Sequence, residues 1–338
     1  MPRKTRATWA VALVALAIGA LALVVFALTR PAVLPSVPNP NGYDDFVKAA
    51  ASISGNIDGL KDLDHDGLSA MISSNAEPLR LVRRGLSCRC SFPTAVAITN
   101  FSSVIGDLAK LKAIALLLKA EGRLAESDNR PVSAATNYLE AIRLGIEISR
   151  GGFVVNRMIG IAFEGIGGLP LSKLVSHLSC EQGRALLPEL EQLDQNRVTF
   201  EEIQHNERQL MIHELLKTYN PLTWPMLWWQ VRQINKSTEA KHNATVAHER
   251  LLLVELALRC YRCDQEKAPS RLDELVPRYL HQVPQDPFNA LSMIYKRQGN
   301  DWLLYSVGPD GIDDGGQPAP HAFGTRGVKG DILFDSPW

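Results

Sequence analysis

Residues 9–28, "WAVALVALAIGALALVVFAL", are twenty residues without a charge, and they constrain this chain more than any other feature. Twenty helical residues rise about 30 Å, the thickness of a bilayer hydrocarbon core. Arg3, Lys4 and Arg6 precede the run, Arg30 follows it, and Trp9 stands where an aromatic interface anchor belongs. That charge bias predicts a cytoplasmic basic tail at 1–8, a transmembrane anchor at 9–28, and everything beyond on the far side. A cleaved signal peptide is the competing reading. Its apolar part usually spans about 7–15 residues and ends in a small-x-small site, which "FALTRPAV" matches poorly. No second apolar run of comparable length follows. The expectation is therefore a single-pass protein of a bacterial inner (cytoplasmic) membrane, N-terminus inside and bulk on the periplasmic or extracytoplasmic side.

Acidic and basic residues balance at 36 each, which gives no global field for nucleic acid or an acidic substrate. Residues 29–41 form a linker whose "PAVLPSVPNPN" holds four prolines, a stiff extended spacer. From 42 to 265 the pattern is helix after helix, a mainly α domain. Leu108, Leu111, Ile114, Ala115 and Leu118 form a helical stripe over 105–126. Pro131 opens a second helix at a position that tolerates it. The pair is similar to one tetratricopeptide-type hairpin, although such arrays stack about three or more repeats and no second copy is visible. Further helices are expected at 153–179, 181–195, 198–218 and 240–265. Between the last two lies "NPLTWPMLWWQV", which reads as core packing beside a Pro-rich turn or as an aromatic surface. After 266 prolines and glycines become dense, with β-type runs at "MIYKR" (293–297) and "WLLYSV" (302–307). A small α+β module at 266–338, led by the helix at 240–265, is the expectation.

Several groups of residues could carry chemistry. Asp62, Asp64, Asp66 and Gly67 match the opening of an EF-hand loop, but Ser73 occupies the position of its bidentate glutamate. A turn with a helix cap and a weak cation site both remain open there. Cys88, Cys90, Cys180, Cys260 and Cys263 could supply four thiolates to zinc, a disulfide between the two close-spaced pairs, or ordinary buried thiols. Glu202 and His205 stand three apart on one helix, but the second copy that a dimetal site needs is missing. Neither Gly-x-Ser-x-Gly, His-Glu-x-x-His nor a phosphate-cradling glycine loop occurs.

The last ninety residues carry an ordered set of signals. They are Tyr261, Pro269, Tyr279-Leu280, Pro284 with Asp286-Pro287-Phe288, Tyr305-Ser306, Gly308, Asp310-Gly311 and Asp331-Ile332. This order resembles the C-terminal part of the major (G-type) pseudopilin of type II secretion systems, over about 248–338. The resemblance implies a glycine-rich loop folded around Ca²⁺, with Asp310 and Asp331 as side-chain ligands and Asp313 and Asp314 as extra carboxylates. Calcium suits such a loop because it takes six to eight oxygens in an adaptable shell. A hairpin end followed by a polar turn is the plainer alternative. The chain departs from the family at its start: 9–28 contain no Glu and no prepilin leader signal precedes them. Polymerisation like a pilin is therefore not expected. The remaining layout resembles membrane-anchored bacterial exported proteins of uncharacterised function.

These signals predict a membrane-anchored, envelope-facing scaffold or interaction protein with a calcium-stabilised module, associated with type II secretion-like assembly. Its partners would be the membrane and envelope proteins, with no nucleic acid. The alternative is an envelope metalloenzyme or hydrolase using the 198–218 helix or the cysteines. No catalytic residue is assigned.

Overall fold

The computed structural model describes residues 36–94, 101–218, 223–319 and 327–336. The expected anchor at 9–28 lies outside the described residues. The protein is mainly helical with a small antiparallel sheet. Helices α1 (Gly42–Ser52), α2 (His65–Ser74) and α3 (Ala76–Ser87) precede the long pair α4 (Phe101–Ser127) and α5 (Pro131–Ser149). Then come α6 (Val154–Val175), α7 (Cys180–Gln195), α8 (Phe200–Thr218) and α9 (Trp224–Gln265). The chain ends with β1 (Ile294–Gln298), β2 (Asp301–Ser306) and β3 (Ile332–Leu333).

Local chemistry explains most of these boundaries. Asp64 caps α2 by accepting the Gly67 amide at 2.9 Å, so the EF-hand-like aspartates form a helix start. Asp66 is solvated and paired with His65, which also reaches Asp128 at 2.8 Å. Pro131 sits in the first turn of α5, and Ser179 with Gln182 forms a capping box on α7. Helices α5 and α6 pack backbone to backbone, because a Cβ on Gly145 or Gly160 would collide with the carbonyl of the other.

Two adjoining hydrophobic clusters fill the interior. One gathers Phe46, Phe92, Leu108, Ile114, Leu118 and Phe153 from α1, the α3–α4 segment, α4 and the α5–α6 turn. The other centres on α9, where Leu251, Leu252, Val254, Ala257 and Leu258 are fully buried with Leu275, Leu304 and Ile332 from the C-terminal module. Each such large aliphatic side chain contributes about 1.5–3 kcal/mol by leaving water. The change of composition at 266 is therefore no break in packing, since one cluster runs through it.

Helix α6 is long and apolar enough to cross a membrane by length and composition. Here it is built into the bundle and carries a buried ionic network. Glu164, fully buried, meets the guanidinium of Arg157 and accepts from Arg197 at 2.7 Å. Arg197 also pairs with Glu249, and Arg157 Nε donates to His242 Nδ1 at 2.8 Å. Burial pushes the Glu164 carboxyl up, but the two guanidinium groups outweigh it and hold it below its ordinary value. Burial and the same cations push His242 well down, so its imidazole is neutral and can accept that bond.

Two expectations are corrected. The helix expected at 240–265 begins sixteen residues earlier, at Trp224. Pro225 lies in its first turn, where the missing N–H costs nothing, and no proline or glycine interrupts the helix after it. Core packing of the aromatic stretch is replaced by exposure: Met226, Trp228 and Trp229 are 65%, 41% and 62% exposed.

Candidate functional site

The Gly/Asp loop hangs from the central strand of the sheet. Strands β1 and β2 form an antiparallel hairpin with Ile294 opposite Tyr305, and β3 adds to β2 with Ile332 opposite Ser306. The register brings Asp331, the residue before β3, beside the segment that leaves β2. Asp286, fully buried in the Asp-Pro-Phe turn, accepts the Val307 amide at 2.9 Å and fixes the point where the loop starts. Gly308 follows with φ +70°, and a Cβ there would collide with the Gly330 carbonyl. Only glycine permits both that backbone conformation and that approach. The C-terminal segment is thereby clamped to the loop, with Asp331 N donating to Gln317 O at 2.7 Å and Ala319 N to Asp331 O at 3.0 Å.

Asp313 and Asp314 lie close enough to Asp331 for their charges to act on its carboxyl. Asp331 is 1% exposed and accepts the amides of Gly316 at 2.7 Å and Asp314 at 3.3 Å. Its carboxyl is raised above the ordinary range by burial, with a further push from the charges of Asp313 and Asp314, although the two amide bonds oppose this. Asp314 offers one oxygen to Lys329 Nζ at 3.2 Å, while its buried Oδ2 has no hydrogen-bond partner among the described residues. Asp313 accepts from Tyr305 Oη at 2.7 Å and from the Gly315 amide at 2.8 Å. Those bonds hold its carboxyl below the usual range. Tyr305 also touches Lys296, whose ammonium is 3.8 Å from Asp313. Asp310 stands apart and accepts the Ile312 amide at 3.1 Å within its own turn.

A hard cation fits part of this arrangement. The donors are all oxygen, one buried carboxylate oxygen of Asp314 is unpartnered among the described residues, and the charges of Asp313 and Asp314 act on the buried Asp331. Asp310 is not gathered with them. Among the described residues no three His, Cys, Asp or Glu side chains already converge to hold a metal. Sequence reading missed Asp286 as the loop's anchor and Lys296 and Lys329 as its counter-charges. Asp286 was visible only as a member of a turn, and the lysines gave no local signal.

The other candidates separate. Glu202 and His205 are both solvent-exposed on α8. Cys180 and Cys263 form a disulfide, whereas Cys88, Cys90 and Cys260 are free thiols. The zinc set and the bridge between the close-spaced cysteine pairs are thus replaced by a link from the start of α7 to the end of α9. Burial pushes the Cys90 and Cys260 thiols up to about 12 and about 11, so neither is a ready thiolate. No protein-family model, curated protein or solved structure matches the chain.

Proposed function

We propose that the protein is a membrane-anchored, envelope-facing scaffold whose pseudopilin-like C-terminal module is stabilised by calcium and which serves a type II secretion-like assembly. The observation that carries the calcium part is the buried Asp331 beside the unpartnered Asp314 Oδ2, in a glycine loop clamped to the C-terminal segment. Asp331 and Asp314 would hold the ion, with Asp313 able to join by exchanging its tyrosine bond. The ion's role is structural: it offsets crowded negative charge and ties the last strand to the hairpin. The helical region, including the tetratricopeptide-like α4–α5 hairpin, supplies the interaction surface.

Calcium should raise the melting temperature of the detergent-solubilised full chain. A ligand at a hundredfold excess over its Kd stabilises the native state by about 2.7 kcal/mol. The full chain is required because α9 and the sheet share one core. Asp331→Ala should abolish the calcium shift, whereas Asp62→Ala should leave it intact. The direction with pH follows from the raised Asp331 value: the proton competes with the ion, so the shift should fade as pH drops through that raised value. An unchanged melting curve on chelation would leave the loop as a plain turn.

For the anchor, a C-terminal alkaline phosphatase fusion should be active and remain in the membrane fraction, as the charge bias around 9–28 implies. Inactive or freely soluble fusion protein sinks that part of the reading.

A further inference from the structure

Among the described residues, helix α9 presents a run of exposed apolar and cationic side chains. Met226, Trp228, Trp229 and Ile234 are exposed by 65%, 41%, 62% and 52%. Arg232 and Lys236 follow Trp228 at four and eight residues, the spacing that places all three on one helical face. Of these, Trp228, Trp229, Arg232 and Lys236 line, with Arg208 and Met211 of α8, a groove of about 560 Å³. Glu239 lines its far end, and Glu207 is engaged inward by accepting the Val154 amide at 3.0 Å. Solvated surfaces seldom carry adjacent exposed tryptophans, whereas the bilayer interface favours them: the ring sits at headgroup depth while arginine and lysine reach the phosphates. An interfacial helix combines aromatic side chains with Arg and Lys in this way.

The position of the stripe argues for the same occupant. Ser36 and Pro38, where the chain arrives from the expected anchor, line a groove together with Glu202 of α8. Gln204 and Arg208, further along α8, line the aromatic groove. Six helical residues separate Glu202 from Arg208, about 9 Å along the axis. The eight residues from Leu28 to Ser36 extend at most about 28 Å. The tether therefore keeps the start of the described chain within about 28 Å of the expected anchor.

We propose that the Trp228–Lys236 face of α9 docks on the anionic surface of the membrane that residues 9–28 anchor. This rests on the anchor reading above. Docking would lay the helical body against the bilayer at a second point and so fix the orientation in which the C-terminal module is displayed.

The test uses the full chain reconstituted in phosphatidylethanolamine–phosphatidylglycerol vesicles whose acyl chains are brominated close to the headgroup. Tryptophan emission is compared with that in unbrominated vesicles, before and after a carbonate wash. Trp228→Phe/Trp229→Phe reports the background from the other tryptophans. Wild-type emission should lose more to bromine than the double variant does. Arg232→Glu/Lys236→Glu should remove that excess quenching while the chain still survives the wash. Equal quenching of wild-type and double variant overturns the proposal. If that equality comes with emission that depends on protein density in the membrane, a second copy covers the stripe instead. Loss of the chain in carbonate defeats the anchor reading, and docking then stands only if excess quenching was present before the wash and falls if it was absent.

Discussion

Glu164→Ala should lower the free energy of unfolding by about 3–5 kcal/mol, the cost of leaving a buried ion partner uncompensated. Arg157 and Arg197 converge on this carboxylate, and their side chains are 2% and 6% exposed. Removing it leaves two guanidinium groups facing each other beside neutral His242, with Glu249 as the remaining counter-charge. The depressed Glu164 value gives a direction in pH. A carboxylate held below its unfolded value contributes stability above that unfolded value and loses it as pH falls through the folded one, so the gap between wild type and variant should narrow in acid. Glu77→Ala is the comparison, because its partner Arg80 and Glu77 itself are both solvated. Chemical denaturation of both variants decides the matter. Equal midpoints for Glu164→Ala and Glu77→Ala would show that the buried network is not a stabilising unit.

The second large effect belongs to the Cys180–Cys263 bridge. It closes a loop with a sequence separation of 83 residues, which contains α7, α8 and nearly all of α9. Cross-linking a loop of that length removes chain entropy from the unfolded state corresponding to about 4 kcal/mol. Both cysteines are exposed, so reductant reaches the bridge without unfolding the protein. Adding reductant, or replacing both residues by serine, should lower the melting temperature to the same value, by roughly 10 °C if 1 kcal/mol moves it about 2–4 °C. Cys88→Ser should not move it, since Cys88 takes no part in the bridge. Around the bridge, Asp264 pairs with Arg184 and Arg278 and accepts from Tyr279 Oη at 2.8 Å. The two helix ends therefore stay close after reduction. A melting temperature indifferent to reductant would mean that these contacts alone hold α7 against α9.

Much of the helical region was legible in the sequence because helices are local objects. The stripe from Leu108 to Leu118 and Pro131 at a first turn are local signals, so α4 and α5 lie close to where the residues place them, and α7 spans nearly the expected 181–195. The hairpin of β1 and β2 was equally readable from two short apolar runs around Gly299. Tertiary structure decided what local patterns cannot. Arg157 and Glu164 on α6, Arg197 in the α7–α8 turn and Glu249 on α9 are far apart in sequence, and only packing brings them together away from water. The choice of Cys180 for Cys263 depends on which helix ends meet, and spacing carries no trace of it. The start of α9 turned on whether Pro225 closes a turn or opens a helix, since proline suits both. The composition of the last ninety residues marked a Gly/Asp loop, yet the grouping of Asp331 with Asp313 and Asp314, and the separation of Asp310, come from the register of β3 on β2. That register is set by burial of Ile332 in a core shared with α9, a contact between residues roughly eighty apart that no local window contains.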